Sequence, residues 1–353
     1  MTISKKKLMD ALRHVMPGVE SDGSILQGAD TFVFSGGQIH SFNDAISVTV
    51  DFPTDEVIDG AVKAKEFYAI LSRLSGDEIK LVADEGRWRL RAGSSKIELQ
   101  LLDTDLLEHI KGIRKDLKWR ALPKTFGAGL IICKISCNKS PFSGVIVSGK
   151  RMVSTDERRV NRFDFDVEMD QLWIADLAVN ELARISDLQD YSLTDSWAHF
   201  RDAHGIIFSA KRLMDQKFPL DKLEAVLEHN RKVKGDVEGT FPERALEVID
   251  RAATFFIEMD DYKAVRLEFS SRGVDVSAER AAGSYTEMVE WEKPVAIKDF
   301  TIYLDSEFAV YGLKRSREFY IHMEDVKGKS RARVVLSKPN VTHMLAAIDE
   351  SKK

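Results

Sequence analysis

The sequence predicts an α+β protein of three similar domains, each a doubled helix-plus-strands unit. Three observations support that class. The chain has 353 residues, which at about 100–150 residues per domain accommodates three. Its composition, 44% hydrophobic and 31% charged, suits several modest cores and excludes disorder, collagen or a membrane bundle. One pattern recurs along the chain: a short helix with apolar residues at i, i+3, i+4, then alternating strands joined by Gly-containing turns.

Taken in order, the first helix is expected at residues 4–16. The clearest copy of the repeat follows: residues 65–74 place Phe67, Ile70, Leu71 and Leu74 on one helical face, and strands at 78–82, 88–91 and 96–101 alternate across polar turns. Residues 111–120 are a charged stretch that reads as a connector. A helix at 126–137 carries the only two cysteines, Cys133 and Cys137, expected as buried thiols because a disulfide at that spacing is geometrically awkward. Residues 145–147 favour a strand, and a hairpin is expected to turn at 148–150. A fourth helix is expected at 177–188, and a second charged connector at 229–235. The second clear copy joins a helix at 241–251 to strands at 264–269, 274–278 and 285–291. A helix at 305–315 follows, and a last one at 341–348 places Met344, Leu345 and Ile348 on one face. The connectors divide the chain into domains at 1–117, 118–236 and 237–353.

Catalysis finds little support. Residues 144–150, Gly-Val-Ile-Val-Ser-Gly-Lys, have the glycine and lysine spacing of a phosphate-binding loop, but Arg151 stands where Mg²⁺ ligation needs Ser or Thr. The eight histidines are scattered, with no metal-binding spacing. His199 and His204 flank an expected turn and read as solvated. No Gly-x-Ser-x-Gly elbow supplies a nucleophile. No cofactor is expected. No apolar run approaches the ~20 residues of a membrane span, and the basic N-terminus leads into an amphipathic stretch, so the expected location is the cytoplasm.

The net charge of −5 does not suggest a nucleic-acid binder. Its distribution does. The six repeat helices, at the expected bounds, sum to +6, leaving −11 for the rest. A surface built from such helices attracts phosphates without reading base sequence.

Six helix-plus-strands units with basic helices resemble the bacterial sliding clamp, the β subunit of the replicative DNA polymerase. Gly76-Asp-Glu-Ile-Lys-Leu81 resembles the second unit of that family's first domain, Val153-Ser-Thr-Asp-Glu-Arg-Arg-Val160 its second-domain strand-end motif, and Arg212-Leu-Met-Asp-Gln-Lys-Phe-Pro219 the segment closing that domain. Residues 264–278 resemble the third domain's hairpin. The likeness runs in order along nearly the whole chain.

That resemblance implies three clamp domains forming half of a closed ring, completed by a second copy and encircling double-stranded DNA. It implies a non-catalytic processivity factor whose partners are DNA, a DNA polymerase and a clamp loader. By position, Lys5, Lys6, Lys7, Arg13, Lys65, Arg73, Lys134, Lys139, Arg184, Arg251, Lys314 and Arg315 would face DNA. Lys96, Ile97 and Leu99, with Phe255 and Phe256, would form the dimer interface. A partner-peptide pocket would include Phe142, Thr155, Arg159, Val160, Pro219, Val335 and Leu336. Two departures bear on that pocket: Glu157 and Arg158 replace the usual Gly-His, and Leu336-Ser-Lys-Pro339 replaces the usual ending. The last expected helix would cover or reshape the pocket.

Overall fold

The computed structural model describes residues 1–20, 26–84, 86–138, 142–214, 218–232, 236–256, 263–281, 283–293, 295, 297–326 and 329–348. The fold is α+β, with antiparallel sheets throughout the described pairings. Eight α-helices lie among the described residues: α1 (Lys5–Val15), α2 (Ala64–Arg73), α3 (Leu106–Ile113), α4 (Phe126–Cys133), α5 (Asp176–Leu182), α6 (Leu220–Lys232), α7 (Ala245–Ala253) and α8 (Ser306–Leu313). The chain divides into two compact units, residues 1–134, 144–149 and 166–216 forming one and the remainder the other.

In the first unit, a four-stranded sheet runs in the order Thr2–Ser4, Glu78–Asp84, Arg87–Ala92, Ser95–Gln100. An eight-stranded sheet runs Gly60–Lys63, Thr31–Ser35, Gln38–Phe42, Ile46–Asp51, Ile207–Lys211, Trp197–Asp202, Leu188–Leu193, Arg120–Ala121. Helix α1 forms because Leu8, Leu12 and Val15 recur on one turn-by-turn stripe, which it buries. Ser4 caps it, its hydroxyl accepting from Lys7 N at 3.5 Å.

The second unit holds most of a six-stranded sheet in the order Val145–Thr155, Arg159–Ile174, Val341–Ala346, Lys329–Lys338, Glu318–Val326, Val237–Thr240. Its other sheet is Gly283–Glu290, Gly273–Arg280, Ala264–Phe269, Phe300–Asp305. Helix α7 buries Ala245, Val248, Ile249 and Ala252, and α8 buries Ala309, Val310 and Leu313, against Val265, Leu267, Phe319 and Val334. Asp305 caps α8, accepting from Glu307 N at 3.1 Å and Phe308 N at 3.3 Å.

Both clear copies of the repeat are present: α2 and α7 are each followed by three antiparallel strands. Cys133 and Cys137 are buried and outside any disulfide. Several expectations need correction. The last expected helix is a strand, Val341–Ala346, paired on both sides and buried through its first five residues. A strand enclosed on both faces loses the polar alternation that would distinguish it from a buried helix. No helix at 341–348 therefore covers a pocket. The expected hairpin at 148–150 is instead continuous strand, Val145–Thr155, in which Gly149 takes a positive φ of 59°; this is no phosphate-binding loop. The two charged connectors overlap the ends of α3 and α6, helices the charge pattern concealed. His199 is fully buried, bonded to Ser209 Oγ at 2.9 Å, whereas His204 is exposed.

Candidate nucleic-acid and peptide interfaces

The repeat helices pack in pairs: α1 beside α2, α4 beside α5, α7 beside α8. Their charge differs from the expectation. Within the observed bounds α1 carries +3 and α2 +1, α4 is uncharged, α5 carries −2, and α7 and α8 carry −1 each. The expected excess rests on Lys134, Lys139, Arg184, Lys314, Arg315 and Arg317, which fall inside the bounds summed for charge and outside the observed helices. Lys134, Arg184, Lys314 and Arg315 lie just beyond the last turns, where cations complement the helix dipole.

The α1–α2 pair is thus the most basic helical surface. Lys6, Lys7, Arg13, Lys65 and Arg73 are exposed there. Lys5 donates to the Leu74 carbonyl, tying the two helices together, and Arg13 pairs with Asp10 at 3.0 Å. Elsewhere the candidates are more committed. Arg184 pairs with Glu181 at 2.8 Å. Arg251 bonds Glu247 at 2.8 Å and Glu287 at 2.9 Å. Arg315 donates to Tyr311 O at 2.9 Å and lies 3.4 Å over the Tyr311 ring. Lys134 is half-buried and Lys314 exposed. Lys139 lies outside the described residues.

Lys96, Ile97 and Leu99 fall on Ser95–Gln100, an edge strand with one exposed edge; Ile97 and Leu99 are half-buried and Lys96 is exposed. In the other unit Gly283–Glu290 is an edge strand of its sheet. Phe255 and Phe256 stand behind it: Phe255 packs on Tyr285 with ring centroids 6.0 Å apart, and Phe256 lies beneath the Arg280 guanidinium at 4.5 Å. The sequence expects this strand at 285–291, but nothing in its polar residues marks it as an open edge.

The pocket candidates all fall in the second unit, and the register separates them. Val160 and Val335 flank Met344 in one cross-strand row, whereas Leu336 lies in the next row, with His343, on the opposite face. Leu336 packs into the core beside Gly312. Thr155 and Arg159 close a turn in which the Thr155 hydroxyl donates to Arg159 O at 2.8 Å. The Arg159 guanidinium bonds Asp156 at 2.7 Å, donates to Ile135 O, and stacks 3.5 Å over Phe308. Phe142 meets Phe218 edge-on at 6.0 Å, beside Pro219.

Sequence reading also missed Arg114, inside the first charged connector. It donates to Ser209 Oγ at 3.2 Å, Thr49 Oγ1 at 2.5 Å and Ser47 Oγ at 3.1 Å. Burial lowers its pKa to about 10. The neighbouring His40 and His199 are each lowered to about 4, first by burial and then by the Arg114 charge. Among the described residues no cluster of three or more His, Cys, Asp or Glu could hold a metal ion, and no helix is long and apolar enough to cross a membrane.

Against solved structures, the fold matches that of bacterial DNA polymerase III beta sliding clamps over its full length. The sliding clamp of Bartonella birtlesii, solved with griselimycin bound, superposes with a TM-score of 0.80 at 17% identity, covering 99% of each chain. The DNA polymerase sliding clamp of Bacillus subtilis gives 0.79 at 16% identity over 98% of each chain, and that of Pseudomonas aeruginosa 0.75 at 18% over 99% of each. The chain therefore has the beta sliding-clamp fold at low sequence identity. No protein-family model matches it, and no curated protein matches its sequence.

Proposed function

We propose that this chain is a DNA sliding clamp: a non-catalytic processivity factor of the cytoplasm whose two copies close a ring around duplex DNA and tether a DNA polymerase. The observation that carries the reading is the clamp fold over 98–99% of both chains in the matches above. In this reading the domains are residues 1–117, 118–236 and 237–353. Two copies join head to tail through Ser95–Gln100 of one and Gly283–Glu290 of the other, which removes both open sheet edges. The α1–α2 pair supplies the strongest phosphate attraction, with Lys6, Lys7, Lys65 and Arg73 acting through solvent so that no register on the DNA is favoured. The polymerase and a clamp loader dock by short peptides at the turn carrying Thr155 and Arg159, near Val160, Phe142 and Pro219.

Sedimentation velocity tests the ring's stoichiometry. A dimer at micromolar concentration is expected, and a monomer throughout that range contradicts the half-ring assignment. A non-encircling interaction scaffold is the reading that would then remain.

A further inference from the structure

The peptide-docking turn of the second unit has a counterpart inside the first. In the turn after Gln38–Phe42, Asn43 Oδ1 accepts from Ala45 N at 3.2 Å and Ile46 N at 2.8 Å. In the turn after Val145–Thr155, Asp156 Oδ1 accepts from Arg158 N at 3.2 Å and Arg159 N at 3.0 Å. The third match is backbone: Asp44 and Glu157 both have positive φ, 65° and 70°. The turns then receive equivalent strands. Lys211 N donates to Ala45 O at 2.9 Å, and Ala346 N donates to Arg158 O at 2.8 Å. Ile46 pairs with Ala210 as Arg159 pairs with Leu345.

Ile46 therefore occupies the place of Arg159, and the two places differ chemically. At the second, the Arg159 side chain spans the site to Phe308 and Asp156. At the first there is a 280 Å³ cavity lined by Ala45, Ile46, Leu177, Ala178, Leu213 and Met214, with Lys211 and Arg212. Leu177 and Met214 are 65% and 58% exposed, which is unusual for large apolar side chains converging on one cavity. Arg212 gives the site its polarity. Its terminal nitrogens donate to the carbonyls of Thr194, Asp195 and Gln171, none of them a carboxylate, and its buried Nε has no partner among the described residues. Lys211 is paired with Asp44 in an exposed, weak contact.

We infer that this cavity is a second peptide-docking site, taking an apolar side chain such as leucine that is accompanied by a carboxylate. The side chain displaces water from Ile46, Leu177 and Met214. The carboxylate answers a guanidinium that has no counter-charge among the described residues, a charge-assisted contact stronger than one between neutral groups. Only the class of occupant, a short peptide, rests on the clamp reading.

Methyl NMR on the full-length protein tests it, with N-acetyl-leucyl-leucine as probe and its carboxamide as control. The Ile46 and Met214 methyl signals are expected to move with the acid, and the carboxamide is expected to bind about tenfold more weakly. Leu177→Asp, on an exposed side chain that folding does not need, should abolish both. Arg212→Gln, if folded, should reduce the acid to the level of the carboxamide. Static Ile46 and Met214 signals up to roughly 10 mM probe, or shifts confined to Val160 and Met344, overturn the inference. Retention on circular DNA, measured on wild type and Leu177→Asp alike, keeps the outcomes apart: it should survive in both, and its loss in wild type rejects the clamp reading without touching the titration.

Discussion

Arg114 keeps its charge on three hydroxyls instead of a carboxylate. Such a group contributes through its fork of donors, each bond to a charged group being worth about 1.5–3 kcal/mol. Arg114→Ala should therefore cost about 2–4 kcal/mol in urea unfolding, and Arg114→Lys should rescue little because one amine cannot reach all three oxygens. Burial, and after it the same cation, makes the flanking histidines acid-sensitive. His40 and His199 have folded pKa values of about 4, and His343, buried and facing the charges of Arg315, Arg159 and Lys338, about 3. The unfolded chain takes up protons near pH 6.5, so each neutral imidazole contributes stability that is complete above that pH. It is lost as pH falls toward the folded value, at up to about 1.4 kcal/mol per unit per histidine. Urea midpoints at pH 7 and pH 5 should differ less in His199→Gln than in wild type; equal differences would rule out His199 as a source of acid lability. None of this was legible in the sequence, where Arg114 is one charge among many and His199 sits in a polar-looking stretch. Burial of a polar residue is set by partners brought from remote strands.

Elements were legible where one face is wet. Helices α1 and α2 and the strands after α2 alternate cleanly because each has a buried and a solvated side. The failures have the complementary cause. The Val341–Ala346 strand lies between two others and is buried on both faces, so Val341, Met344 and Leu345, separated by the buried Thr342 and His343, carried no period-two signal. It also misplaced the pocket's last wall: Leu336 belongs to the core, and Met344 stands between Val160 and Val335. As a central strand this segment should not tolerate a lost donor. Thr342→Pro should destabilise by about 3 kcal/mol or more, read as a lower urea midpoint for the transition reporting the second unit. A helical segment covering a pocket from outside would have left that midpoint nearly unchanged.

At the scale of the molecule, the repeat made the α+β class readable, while the placement of charge was not. Helix bounds shifted by a few residues turn an apparent excess of +6 into neutrality, leaving α1 and α2 as the basic surface. Lys6→Glu with Lys65→Glu should accordingly weaken DNA association and flatten its salt dependence more than Arg251→Glu, whose parent side chain is held by two carboxylates. In the proposed ring the two edge strands carry the assembly. Leu99→Asp places a charge on the half-buried edge and should weaken self-association by about 100-fold or more, seen in sedimentation velocity. Encirclement is tested most directly by loading the protein on a nicked circular duplex, washing in high salt, and then cutting the circle once. A clamp should stay bound to the circle and leave when it is linearised, whereas equal release from circle and line would contradict a ring around DNA.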